Sequence, residues 1–156
     1  MEKNEKVIGV LNDLIRINND RMVGYEKAID ELKGAEDADL VTLFHRYTTE
    51  SRQYATELTH EVTRLGGNPA DGTTNSGKIY RVWMDLKAAV SGKDRKAILE
   101  NCEFGEDAAQ KAYDTALNAD VDLEAPLREL IIRQKTALRV GHDEVKRLRD
   151  LSRATS

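Results

Sequence analysis

Two stretches of this chain repeat each other 83 positions apart. His60-Glu61-Val62-Thr63-Arg64-Leu65 is echoed by Asp143-Glu144-Val145-Lys146-Arg147-Leu148. Upstream, Lys27-Ala28-Ile29-Asp30 is echoed by Lys111-Ala112-Tyr113-Asp114 at an offset of 84. In each half the first fragment closes one long helical pattern and the second closes the next. A helical hairpin with one apolar face cannot bury that face alone, whereas two hairpins can bury theirs together. The repeat therefore constrains the chain to a duplicated helical hairpin, an all-α four-helix bundle.

The periodicity supplies the elements. Helix A is expected over about 5–33, with Val7, Leu11, Leu14, Asn18, Met22, Tyr25, Ile29 and Leu32 stepping by three or four along one stripe. Gly34 to Asp37 is a tight break, and Asp37 is a natural N-cap for helix B, about 37–65. The inner face of helix B carries Leu40, Phe44, Tyr47, Ser51, Tyr54, Leu58, Val62 and Leu65, and Gly66-Gly67 stops it. A crossover over 66–93 follows. It opens with a loop rich in Gly, Asn and Thr and bears a short amphipathic helix at about 77–90, with Ile79, Trp83, Leu86 and Val90 on one side. Helix C is expected over about 94–118 and helix D over about 123–151, with Pro126 in the first turn, where a missing N–H does no harm.

The short A–B and C–D loops force antiparallel pairs. The longer B–C stretch can travel the length of the bundle, since a helix of about 13 residues covers roughly 20 Å. One such crossover is the connectivity of a ferritin-like bundle; up-down-up-down would need the 79–118 region to be one bent helix, which Ser91-Gly92 opposes.

Composition narrows the function classes. The chain is 156 residues with 33% charged and 5% aromatic residues, suited to one domain of long solvated helices. A net charge of -4 with the basic residues dispersed gives nucleic acid no patch to bind. No apolar run approaches membrane-spanning length, the N-terminus lacks an apolar signal core, and the lone Cys102 has no internal disulfide partner, so a cytoplasmic location is expected.

Four polar residues fall on or beside the apolar stripes: Asn18 on helix A, Glu50 at the edge on helix B, Glu106 on helix C and Gln134 on helix D. Counted from the hairpin loops, all four converge at mid-height. Two facing carboxylates without a cation are expected to share a proton. Tyr25, Tyr47, Tyr54 and Tyr113 lean inward, and Asp20 points away from the stripe toward the crossover or solvent.

The text of the chain resembles a bacterial ferritin-like four-helix-bundle family, a domain of unknown function associated with stress. The resemblance rests on Leu11-Asn12-Asp13-Leu14-Ile15, Asn18-Asn19-Asp20, Gly24-Tyr25-Glu26, Trp83-Met84-Asp85-Leu86-Lys87-Ala88, Gly105-Glu106-Asp107 and His142-Asp143. It covers nearly the whole chain. It implies the fold and a stress-associated role, without an established activity.

A di-iron site on such a bundle takes a Glu from each of two helices and Glu-x-x-His from each of the others. Here Gln53 stands three after Glu50 and Ala137 three after Gln134. The one literal Glu-x-x-His, Glu57 to His60, puts His60 on the surface by helical phase. The expected function is accordingly a non-enzymatic bundle with a polar mid-bundle layer. Two alternatives stay open: a di-iron or di-manganese oxidase, and a helix-bundle interaction or assembly module. Metal, if bound, is expected at Glu50, Glu106, Gln134 and Asn18, with Glu26 and His142 as second choice. Oxygen donors without sulfur suit manganese, iron(II), magnesium or calcium better than copper, and iron or manganese is the expected cofactor if there is one. A homo-oligomer is left open, with Ile17, Val23 and Val41 on outward phases as its only apolar hint.

Overall fold

The computed structural model describes residues 2–32, 35–74 and 95–155. Four long helices carry the chain: α1 (Glu2–Glu31), α2 (Ala38–Arg64), α3 (Arg95–Leu117) and α4 (Ala125–Thr155), with a 3-10 turn at Ala35–Asp37 before α2. The helix ends differ from the expected ones by a few residues, most at α4, which runs on to Thr155. Periodicity locates a stripe, but capping and fraying decide where a helix stops. The short helix expected at about 77–90, with Trp83 and the Ser91-Gly92 interruption, lies outside the described residues.

Each helix is antiparallel to its neighbours. α1 pairs with α2 and α3 with α4, and across the hairpins α1 faces α3 while α2 faces α4. Asn18 meets Tyr113 while Arg21 meets Glu106, so α3 descends as α1 rises. Gln134 on α4 reaches Glu57 on α2, which seats helix D against helix B as well as helix C.

Both ends of the crossover are fixed by described residues. Leu65, at the end of α2, shares a surface recess with Asn4 and Val7 of α1 and with Leu127 of α4. Arg95, the first residue of α3, pairs instead with Asp37 and Asp39 at the start of α2. The two ends of the connection thus lie at opposite ends of the bundle, as the single-crossover connectivity requires. Its first residues climb along α1: Asn12 bonds Asn68 and Ala70, Asn19 bonds Gly72, and the Asp20 carboxylate accepts from the Thr74 amide and hydroxyl.

Local chemistry accounts for the stops. Gly66, at φ 86°, ends α2 with its N–H donating to the Thr63 carbonyl while the Gly67 N–H donates to that of Val62. Glycine reaches this left-handed conformation without a Cβ penalty, and the paired bonds satisfy two orphan carbonyls. Asp37 does stand at the N-cap of α2, but its side chain makes no cap bond. Its carboxylate is drawn to Arg95 instead, so a tertiary charge pair wins over the local cap.

The apolar core is in two parts. Toward the α1 N-terminus it contains Leu11, Leu14, Leu58, Val62, Ile131 and Leu138. Toward the other end it contains Tyr25, Leu40, Phe44, Ile98, Leu99 and Val145. Ile17 is buried, and Val23 and Val41 are half-buried, so they form no open apolar patch.

Candidate functional site

Between the two parts of the core lies a polar layer, and at its centre is a residue that the apolar stripes did not single out. Arg21 of α1 is 1% exposed. Its Nε donates to both carboxylate oxygens of Glu106 at 3.1 Å, and its Nη2 donates to Glu106 Oε2 at 3.0 Å. Its Nη1 donates to Glu50 Oε1 and Ser51 Oγ, each at 2.9 Å, and to the Tyr47 carbonyl at 3.3 Å. The guanidinium carbon stands 5.4 Å from the Tyr25 ring centroid and 4.9 Å from that of Tyr47, within cation–π range.

Every guanidinium nitrogen has an acceptor, which is what a charge withdrawn from water requires. Burial pulls the guanidinium toward losing its proton. The Glu106 carboxylate, followed by Tyr25 and Glu50, outweighs that and holds it above its usual value.

The four mid-height residues resolve into two tiers around this centre. Glu106, wholly buried on α3, faces Arg21 and also accepts a hydrogen bond from the Tyr25 hydroxyl. Burial first, and then the Glu106 carboxylate, pushes the Tyr25 phenol well above its ordinary value. Glu50 faces Arg21 from α2 at the edge of the layer, its side chain 27% exposed. An open groove along α2, lined by Thr49, Gln53 and Tyr54 among others, brings solvent to it. The Tyr54 hydroxyl is pushed up to about 12 by burial and then by the Glu50 charge.

The second tier is built on the two amides, Asn18 and Gln134. Asn18 donates to the Tyr113 hydroxyl at 2.8 Å and to the Leu14 carbonyl at 2.9 Å. Tyr113 donates to Gln134 Oε1 at 2.7 Å, and Gln134 Nε2 donates onward to Glu57 at 2.9 Å. Asn18 Oδ1, also buried, has no hydrogen-bond partner among the described residues.

The second-choice pair does not come together. Glu26 is exposed on α1. His142 turns to α3, its Nε2 on Asp107, with its Nδ1 2.9 Å from Asp143 of its own helix. Two carboxylates at its two ring nitrogens hold the imidazole above its ordinary value even though burial pulls the other way. His60 is exposed, as its helical phase indicates.

Arg21 supplies a cation to both carboxylates, so the condition attached to their sharing a proton, that no cation is present, is not met. The signal was in the sequence. The positions 7, 11, 14, 18, 21, 25, 28 and 32 form an unbroken 4-3 heptad series, and Arg21 occupies one of its slots. Where the stripe branches, Met22 and Ile29 are the more apolar alternatives to Arg21 and Ala28. The structure buries Arg21 and Ala28 and leaves Met22 and Ile29 half-buried.

The layer as arranged does not fit a bound metal of the di-iron kind. An ion coordinated by both Glu50 and Glu106 at roughly 2 Å would need the space the guanidinium fills. No group of three or more His, Cys, Asp or Glu side chains converges as a ligand set among the described residues.

Comparison with known proteins agrees with the frame. The family model described as a domain of unknown function, DUF2383, matches residues 6–119. No curated protein matches the chain. Among solved structures, a mutant of Dps1 from Mycobacterium smegmatis superposes with a TM-score of 0.80 at 18% identity, over 95% of this chain and 97% of that one. A ferritin-like, diiron-carboxylate protein from Bacillus anthracis superposes with a TM-score of 0.72 at 16% identity, over 96% and 99%. The architecture is therefore a ferritin-like four-helix bundle, as the sequence resemblance implied. None of the described helices is long and apolar enough to cross a membrane.

Proposed function

The chain belongs to the DUF2383 family, and from that premise we propose that it is a non-enzymatic ferritin-like bundle with a stress-associated role, whose central polar layer fastens the helices to one another. One observation carries this reading: both mid-bundle carboxylates are engaged by side chains of the same protein. Glu106 is engaged by Arg21 and Tyr25, Glu50 by Arg21, and Gln134 by Tyr113 and Glu57. An oxidase centre on this architecture needs carboxylates and imidazoles turned toward an open position. Here the carboxylates are turned toward a side chain of the same protein. The stress association follows from the sequence resemblance.

The test is an iron(II) oxidation assay with metal analysis of protein purified without chelators. Oxidation no faster than a buffer blank is the expected result. Catalysed oxygen uptake that disappears in Glu50→Gln/Glu106→Gln would replace this reading with that of an oxidase.

A second reading has one observation in its favour. Asn18 Oδ1, without a hydrogen-bond partner among the described residues, is a buried oxygen donor in the layer. A single iron or manganese ion held weakly by Glu50, Glu106, Gln134 and Asn18 would use it, provided that Arg21 swings aside. Stoichiometric metal in the wild type, lost in the double variant, is the result that would favour it. For assembly, Phe104, Ile132 and Val140 stand exposed on α3 and α4. A homo-oligomer built through them would appear in size-exclusion chromatography with light scattering, and a strict monomer would remove it.

A further inference from the structure

We infer that Arg21 is the resident cation of this bundle: its guanidinium, seated against Gly141, fills the mid-bundle point between Glu50 and Glu106 where an ion held by both carboxylates would have to sit. The inference deepens the non-enzymatic reading and rests on it. It adds a chemical specificity to the site, namely for a planar, fork-shaped cation and not for a spherical one.

Three observations carry it. The first is the pattern of donors. One face of the fork, Nε and Nη2, spans both oxygens of Glu106, while Nη1 reaches Glu50, Ser51 and a main-chain carbonyl on α2. A guanidinium presents donors in these directions in one plane, whereas an ammonium or a metal ion concentrates its charge at a single point.

The second observation is the seat. Gly141 lies in the middle of α4, where glycine is unfavourable for a helix. A Cβ built there would stand 2.9 Å from Arg21 Nη2 and 3.3 Å from Tyr47 Cε1. The missing methyl group is what lets α4 close over the guanidinium. Nη2 cannot yield easily, because the hydrogen bonds at the other guanidinium nitrogens fix the plane of the group.

The third observation is the wall. The rings of Tyr25 and Tyr47 stand together on one side of the cation, tilted 51° to one another with centroids 5.2 Å apart. Aromatic faces accept a delocalised, weakly hydrated cation well.

The test is chemical rescue. Arg21→Ala opens a cavity lined by Glu50, Glu106, Tyr25, Tyr47 and Gly141. Guanidinium chloride at tens of millimolar, too little to denature, should raise the Tm of this variant above that in matched sodium chloride. It should not raise the Tm of the wild type, and Arg21→Ala/Glu106→Gln should show no rescue. Manganese(II) and EDTA should leave the wild-type Tm unchanged. A folded Arg21→Ala with no guanidinium-specific gain would overturn the inference. So would a wild-type Tm that rises with stoichiometric manganese(II) and loses that rise in Glu50→Gln/Glu106→Gln.

Should Arg21→Ala fail to fold, Arg21→Lys decides. A Tm well below wild type supports the fork-shaped site, and a Tm equal to wild type overturns it, since any cation would then suffice. Iron(II) oxidation by a wild type whose Tm ignores manganese(II) and EDTA would sink the non-enzymatic reading while leaving the resident cation in place.

Discussion

Replacing Arg21 with methionine removes the guanidinium while keeping an unbranched side chain of comparable reach. It strands Glu106, a wholly buried carboxylate, with the Tyr25 hydroxyl as its remaining partner in the layer. Breaking a buried ion pair from one side costs about 3–5 kcal/mol, because the remaining charge is left uncompensated. Methionine recovers part of this by filling the space, so a net loss of about 3 kcal/mol is expected. For a chain of 156 residues each kcal/mol shifts Tm by about 2–4 °C, which makes the loss about 6–12 °C.

The pH dependence carries the diagnosis. In the variant the buried carboxyl takes up a proton more readily than the same group in the unfolded chain. Its folded-state value is thus raised, so the penalty is absent below the unfolded value and grows as pH rises. The deficit relative to wild type should widen from about pH 5 to about pH 8 in thermal melts. Neutralising the partners as well, in Arg21→Met/Glu50→Gln/Glu106→Gln, should restore much of the stability and flatten the profile. A single variant as stable as wild type at neutral pH, or a deficit that does not change with pH, would refute the reasoning.

Two helical glycines should respond with opposite signs. Gly9→Ala, where a Cβ meets nothing within 4 Å, should raise stability by up to about 1 kcal/mol, whereas Gly141→Ala should lower it by about 1–3 kcal/mol through overpacking; paired denaturant titrations read both. His142 joins α3 to α4 best as the imidazolium, and its folded value is raised. Its contribution, about 0.5 kcal/mol for a partly exposed pair, is present below the unfolded value and lost as pH rises through the folded one. The stability gap between wild type and His142→Asn should accordingly close on the alkaline side in a pH series of melts. Asp20→Ala removes both acceptors of Thr74 and should cost about 1–3 kcal/mol. It should also speed hydrogen exchange of the Thr74 amide, and unchanged exchange there would show that the crossover is held by other contacts.

Much of this architecture is legible from local rules. The repeat and the 3.6-residue periodicity identify four helices and their buried faces, because an amphipathic helix must bury one stripe whatever it packs against. Gly66-Gly67 marks the end of α2, because a left-handed residue there closes the last turn. Connection lengths select the single crossover. The mid-height position of Asn18, Glu50, Glu106 and Gln134 also follows from counting along the helices.

Which of those residues meet is a tertiary matter. Helical phase gives an angle on one cylinder. The partner across the bundle depends on axial register and interhelical spacing, which no single helix encodes. Glu50 and Glu106 therefore joined Arg21, while Asn18 and Gln134 joined Tyr113 one tier away. His142 turned to Asp107 and not to Glu26. Arg21 shows the limit most clearly: an arginine in a heptad slot ordinarily carries its charge out to water along its aliphatic stem. Only two carboxylates on neighbouring helices, and the missing side chain at Gly141 on a third, make the inward position the more stable one.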